Sequence, residues 1–325
     1  MNSTNSVKDI QTLIDEKDKQ LHNRSFITGE ELLIEPIEEI PCLVYPFLPQ
    51  IGLVGLVGSS DCGKSTLLRQ LAIEICCNEV SFLGFPITTK HQSAIYVATE
   101  DDEQAIRFLL SKQNKHKQYN PEKYSKLRFV FDTDNLLGNL KNILDKNPAD
   151  LIVIDTFSDL FTGDLYRTND VRSFLNNYSN LAKKHNLLII FLHHTGKRTE
   201  SQKPSKNNIL GSQGFEAKMR AVLELRISET EPSLKHLCIT KGNYLTSEYK
   251  TQSFVVKMNE NMIFENTGMR SDIENLASFE PQQLPEKQHH AMELLKEGKN
   301  DTEIAKILSV YKSTIGRWRK KYEKK

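Results

Sequence analysis

The chain has 325 residues, 38% of them hydrophobic and 26% charged, with a mean hydropathy of −0.47. These values exclude a disordered tail, a collagen repeat and a disulfide scaffold, and leave room for one large domain and a small one. The formal net charge is only +1, but residues 284–325 hold eleven Lys/Arg against six Asp/Glu. A basic appendage on a mildly acidic body points to an anionic partner, with nucleic acid first.

Residues 1–34 are polar and weakly helical, with no apolar face wide enough for a core helix. They contain no apolar stretch of the signal-peptide kind, and no later run approaches the roughly eighteen apolar residues of a membrane span. Cys42, Cys62, Cys76, Cys77 and Cys238 form no C-x-x-C pair and no zinc spacing. Reduced thiols, a cytoplasmic location and no membrane association are therefore expected.

From residue 35 short apolar runs alternate with amphipathic stretches. Ile51–Val57, Ala94–Ala98, Leu127–Phe131, Leu151–Ile154 and Leu187–Leu192 are near-continuous hydrophobic runs of strand length. Helical patterns lie between them at about 64–77, 101–112, 135–146 and 169–185. Such an alternation predicts an α/β fold, a doubly wound and mostly parallel sheet covered on both faces. After Leu210 the pattern becomes strand upon strand, at Ala221–Ile227, Lys235–Thr240, Ser253–Lys257 and Met262–Glu265. These extend the sheet with antiparallel strands, the last two joined by a turn at Met258–Asn261. Residues 267–285 lack periodicity, hold two prolines and read as a linker. Residues 286–325 are helical again and form a small all-α module.

Gly58-Ser59-Ser60-Asp61-Cys62-Gly63-Lys64-Ser65 matches G-x-x-x-x-G-K-[ST]. It follows a predicted strand and opens a predicted helix that continues with Thr66, as phosphate binding at a helix N-terminus requires. Backbone N–H groups would cradle the phosphates of ATP, Lys64 would reach the β- and γ-phosphates, and the Ser65 hydroxyl would ligate Mg2+. Asp61 must point away from the polyphosphate, or its charge weakens binding. Leu151-Ile152-Val153-Ile154-Asp155 is a hydrophobic strand ending in a carboxylate, so Asp155 becomes the second candidate for the metal site. Glu100 ends the Ala94–Ala98 segment and is the candidate for orienting the attacking water. Asp101 and Asp102 are weaker contenders and fit a helix cap better. His193 and His194 close another strand, where one of them could report the γ-phosphate.

Taken together, these motifs resemble a RecA-like ATPase. The nearest likeness is to the RepA-type hexameric replicative helicases of plasmids and mobile elements, over roughly residues 35–265. The resemblance implies ATP and Mg2+ as cofactors, Glu100 as catalytic base, and His194 as γ-phosphate sensor with His193 as alternate. It implies a homo-oligomeric ring, with Arg220 acting as an arginine finger on a neighbour and Lys241 contacting that neighbour's nucleotide. It also places a loop for single-stranded DNA after the His strand, here Lys197, Arg198, Lys203 and Lys206 within residues 197–206, which carry four cations and one anion.

Near the end, Gly298 closes a helix, Asn300 and Glu303 make a capping-box pair, and Ser313–Tyr322 follows a short break. This resembles the helix-turn-helix of resolvases, with Lys312, Arg317, Arg319 and Lys320 as candidate contacts to duplex DNA. Trp318 fits better as an anchor to the module's own core. The expected function is a ring-forming ATP-driven DNA motor, in the first instance a replicative helicase. The alternative is a DNA-bound regulatory or recruiting ATPase that does not unwind.

Overall fold

The structure is a computed structural model that describes residues 26–34, 36–196, 202–211, 213–228, 231–276, 283–310 and 312–322. Two units divide it, residues 1–41 and residues 42–325. In the first, helix α1 (Gly29–Ile34) buries none of its residues. Thr28 and Glu31 exchange hydrogen bonds of 2.9–3.2 Å at its start.

The second unit opens with a small antiparallel pair, β1 (Cys42–Val44) and β2 (Leu48–Pro49). Strand β3 (Gly52–Gly58) leads into helix α2 (Lys64–Cys76). A second small pair, β4 (Ser81–Phe82) and β5 (Phe85–Pro86), follows. Then come β6 (Ala94–Ala98), α3 (Glu103–Lys117), β7 (Leu127–Val130), α4 (Leu136–Lys146) and β8 (Leu151–Asp155). The short helix α5 (Phe157–Leu160), α6 (Thr168–Lys184), β9 (Leu188–His194) and α7 (Gln213–Lys218) complete the alternating part. Strands β10 (Ala221–Ile227) and β11 (Leu234–Gly242), helix α8 (Glu248–Thr251), and strands β12 (Gln252–Met258) and β13 (Phe264–Asp272) finish the sheet.

The nine strands are ordered β13-β12-β11-β10-β3-β9-β8-β6-β7. From β10 to β7 neighbours are parallel, and β11, β12 and β13 are added antiparallel. Every residue of β3 is buried, because its two faces meet different layers. Val54 and Leu56 pack with Leu67, Leu71 and Ile75 of α2, whereas Leu53 and Val57 pack with Leu175 and Leu181 of α6. Period-2 alternation is therefore hidden in the sequence, since both sets are apolar. Burying each such side chain contributes roughly 1.5–3 kcal/mol. On α4 the 3.6-residue repeat is legible, with Leu136, Leu140 and Leu144 buried.

A polar layer locks α2 to its neighbours. Buried Gln113 of α3 accepts from Arg69 Nε at 2.8 Å and donates to the carbonyls of Thr66 and Met262, both at 3.1 Å. Gln70 exchanges two hydrogen bonds with the backbone of Phe264, at 2.7 and 3.0 Å.

Three expectations shift. Strand β10, expected among the antiparallel strands, instead pairs parallel with β3, so the antiparallel part begins only at β11. Strand β13 runs to Asp272, six residues into the segment read as a linker, and helix α9 (Gln283–Lys296) begins inside that segment too. The strand shows no alternation because it is the outermost one and five of its middle residues are exposed. Backbone pairing with β12 carries it, together with Arg270 stacked 4.0 Å over the Phe254 ring. Helix α3 outruns its predicted end by five residues, to Lys117, where Gln118 turns left-handed and caps it.

Helices α9, α10 (Asp301–Ile307) and α11 (Lys312–Tyr322) enclose their own core of Ala291, Leu294, Ile304, Leu308 and Ile315, with Trp318 packed against it. Gly298 has φ 86°, and the Asn300–Glu303 capping box is formed. Ser309 takes a left-handed φ of 51° at the turn.

Substituting Gln113→Leu removes the acceptor of the buried Arg69 Nε–H and the donor to the Thr66 and Met262 carbonyls. Urea unfolding should show a loss of about 3 kcal/mol or more. A change within about 0.5 kcal/mol, as for an ordinary surface site, would contradict the role given to this side chain.

Candidate functional site

Parallel strands end on one edge of the sheet, and register fixes what gathers there. Gly58 pairs with His194 across β3 and β9, and Ala98 pairs with Asp155 across β6 and β8. The Gly58–Ser65 loop, Thr99, Glu100, Asp155 and His194 thus share the carboxyl edge, where doubly wound sheets bind ligands.

Two glycines make the loop possible. A Cβ on Gly58 would lie 2.3 Å from the Leu225 carbonyl oxygen and 2.9 Å from Cys62 Sγ. Gly63 has φ 97°, and a Cβ there would meet the Phe264 ring at 2.8 Å. Cys62 is buried in the core beneath the loop, where burial pushes its thiol pKa up. Ser60 and Asp61 are exposed, Asp61 in the left-handed region at φ 61°. Lys64 is buried and its Nζ donates 2.6 Å to the Ser59 carbonyl, across the loop it belongs to. Ser65 and Thr66 stand in the first turn of α2.

Asp155 is buried. Its Oδ2 accepts from Tyr96 Oη at 2.5 Å, and its Oδ1 has no hydrogen-bond partner. Its main-chain carbonyl accepts from both the N–H and the hydroxyl of Thr99, each at 2.8 Å. Burial raises the Asp155 carboxyl pKa, offset by the Tyr96 hydrogen bond, the neighbouring Ser65 hydroxyl and the Arg69 charge. The Thr156 hydroxyl donates to Asp159 Oδ2 at 2.9 Å, and the Thr99 hydroxyl lies 2.5 Å from the same oxygen, so the single Thr99 hydroxyl proton is shared between Asp159 and the Asp155 carbonyl. Glu100 is exposed beside these acids, and its carboxyl is raised by partial desolvation and then by Asp159, Asp155 and Asp101. Asp102 caps α3 by accepting from Ala105 N–H at 2.8 Å, so its carboxylate is engaged away from the site.

Mg2+ fits this donor set. An unpartnered, buried carboxylate oxygen sits beside a serine hydroxyl, and both are hard oxygen ligands. Among the described residues no group of three or more His, Cys, Asp or Glu could hold an ion without further ligands, so phosphates and water would complete the shell.

The two histidines diverge because successive strand residues face opposite ways. His193 is fully buried against Phe157 and Phe215, with ring centroids 5.0 and 4.9 Å away, and its Nε2 lies 2.9 Å from the Leu210 carbonyl. It cannot serve as the alternate sensor. His194 faces the site, its pKa lowered by burial and then by Lys64.

Arg220 and Lys241 are elsewhere. Arg220 N–H donates to the Leu53 carbonyl at 2.7 Å, so it stands at the start of β3, about 17 Å of strand from the loop. Its guanidinium donates 2.6 Å to Tyr244 Oη. Lys241 pairs with Glu216 at 2.9 Å. Neither reaches the chain's own nucleotide loop.

The candidate DNA residues are less free than their charges imply. Lys203 pairs with Glu274 at 2.8 Å and Lys206 with Glu216 at 3.5 Å. Buried Glu224 accepts from Ser205 N–H at 3.1 Å and pairs with Arg226 at 2.6 Å, tying this loop's stem to β10. Arg319 pairs with Asp301 at 2.5 Å, whereas Lys312 is exposed. Lys197 and Arg198, and the side chains of Arg317 and Lys320, lie outside the described residues.

Tyr96, Thr99, Asp159 and Arg69 escaped the sequence reading. Tyr96 looks like any aromatic in a core strand, and Arg69 sits where an amphipathic helix would turn to solvent. The weak signal was the scarcity of polar residues on α2.

His193 gives stability a pH dependence. Its folded pKa is lowered to about 4 by burial, against about 6.5 unfolded. The unfolded chain thus takes up a proton that the folded one refuses, and stability present above pH 6.5 is lost as pH falls toward 4. Between pH 7.5 and pH 5 this amounts to about 2 kcal/mol. Urea unfolding of His193→Gln should lose that much less than wild type over the same interval. Parallel pH profiles for the two proteins would contradict the assignment.

Residues 20–200 match the family model of the AAA domain, and residues 283–325 match that of the Homeodomain-like domain. None of the curated proteins compared matches the chain. Among solved structures, one ATPase domain aligns with a TM-score of 0.53 at 13% identity, covering 78% of this chain and 98% of that one. A KaiC-like protein from the hyperthermophilic archaeon Pyrococcus horikoshii OT3 aligns with a TM-score of 0.49 at 15% identity, covering 71% and 98%. The first likeness shows a RecA-like fold. With a phosphate-binding loop at the carboxyl edge of that sheet and a family match over more than half its length, the chain belongs to the AAA domain family of P-loop ATPases.

Proposed function

We propose that the protein is an ATP-hydrolysing, ring-forming DNA motor, a replicative helicase of a plasmid or other mobile element. The observation that carries this reading is the separation of Arg220 and Lys241 from the nucleotide loop of their own chain. A cation that cannot serve its own site can serve a neighbour's when copies meet head to tail, and a closed head-to-tail contact makes a ring such as a hexamer.

In this reading the Gly58–Ser65 backbone and Lys64 hold the phosphates of ATP. Mg2+, when bound, would be held by Ser65 and Asp155 and would neutralise phosphate charge. Glu100 orients the attacking water, its raised pKa suiting a group that accepts a proton. His194 faces the γ-phosphate, and Arg220 of a neighbouring copy neutralises charge developing in the transition state. Single-stranded DNA would engage the 197–206 loop, and duplex DNA the C-terminal module through α11.

The alternative, a DNA-bound regulatory ATPase without unwinding, draws support from the paired state of Lys203 and Lys206. A strand-displacement assay separates the two. ATP-dependent displacement favours the motor, and DNA-stimulated ATPase without displacement favours the regulator.

Mixing variants tests the assembly. Arg220→Ala and Lys64→Ala should each lose turnover, by about 1,000-fold for the finger. A one-to-one mixture should regain activity, since random assembly leaves about a quarter of interfaces with an intact loop and an intact finger. No recovery, with mixed assemblies confirmed by mass, would rule out action between subunits.

A further inference from the structure

The main chain of Asp155 is held by Thr99, whose N–H and hydroxyl both donate to the Asp155 carbonyl at 2.8 Å. That leaves the side-chain torsions free to turn, and a carboxylate that turns presents either oxygen to the nucleotide. One contact prevents this. The Tyr96 hydroxyl, fully buried on β6, lies 2.5 Å from Asp155 Oδ2, while Oδ1 is left with no partner. The same hydroxyl lies 3.3 Å from the Ser65 carbonyl, so one oxygen atom touches both residues proposed to hold Mg2+. The tyrosine ring is itself held by the neighbouring strand, 5.7 Å from Phe129.

We propose that Tyr96 is a positioning residue for the metal site. Its hydroxyl occupies Asp155 Oδ2 and so commits Oδ1 to the divalent cation of the bound nucleotide. Hydrogen bonds to an ionised group are directional and strong, and outer partners of metal-binding carboxylates hold them in the geometry that binds. A phenylalanine would fill the same space and pack against the same Phe129, so the hydroxyl, not the ring, carries the role. The inference rests on the nucleotide reading above, and its test keeps the two apart.

The experiment measures binding of a fluorescent, non-hydrolysable ATP analogue to the full chain, in EDTA and across a Mg2+ titration. Tyr96→Phe should bind the analogue in EDTA as wild type does, which also shows that the phosphate loop has formed. Its Mg2+ midpoint should rise about 10-fold to 100-fold, and Asp155→Asn should shift it at least as far. An unchanged midpoint in Tyr96→Phe beside a shifted one in Asp155→Asn overturns the proposal and leaves the nucleotide reading standing. If Asp155→Asn does not shift it either, the metal assignment of Asp155 falls and the proposal with it. Equal weakening of Tyr96→Phe in EDTA and in Mg2+ makes the residue a packing element, which also overturns it.

Discussion

The direction in which β3 and β10 run side by side governs the rest of the molecule. Ala221 of β10 pairs with Val54 of β3, and the two strands are parallel. Parallel strands give a sheet two chemically unlike edges. The carboxyl edge collects Gly58, Glu100, Asp155 and His194, and the amino edge receives Arg220, the residue just before β10. Were β10 antiparallel, Arg220 would stand beside its own phosphate loop and one chain could complete its own site. The separation of cation from carboxylates is thus a property of strand direction, and it makes a second copy necessary for the chemistry proposed.

Holding such a site together requires charge inside the protein. Lys64, Arg69 and Asp155 are all buried, and each would be costly without partners. Lys64 spans its own loop to the Ser59 carbonyl, and Arg69 leans on Gln113. One guanidinium nitrogen of Arg69 and one oxygen of Asp155 nonetheless lack hydrogen bonds, and their charges support each other through space. A loop and a carboxylate already fixed before the ligand arrives lose little freedom on binding it, which favours affinity.

Much of this was legible in the residues. The G-x-x-x-x-G-K-S spacing located the phosphate loop, and five apolar runs located β3, β6, β7, β8 and β9, whereas β10, parallel to β3, reads in sequence like the antiparallel strands after it. Asp102 was recognisable as a cap, and Asn300 with Glu303 as a capping box. What escaped depended on contacts between distant segments. Strand β13 has no alternation because it stands at the sheet's rim, so only its pairing with β12 defines it. Tyr96 meets Asp155 across 59 positions of sequence, and no local pattern distinguishes its hydroxyl from that of a core tyrosine. The loop lysines read as open charge, yet Lys203 and Lys206 find Glu274 and Glu216 on other elements.

The central claim is that a single chain holds only half of each working site. ATP turnover per chain, followed across a dilution series with mass measured in parallel, tests it most directly. Turnover per chain should fall steeply as assemblies dissociate, in step with their loss, and monomers should retain almost none. Turnover that stays constant down to the monomer would contradict the account.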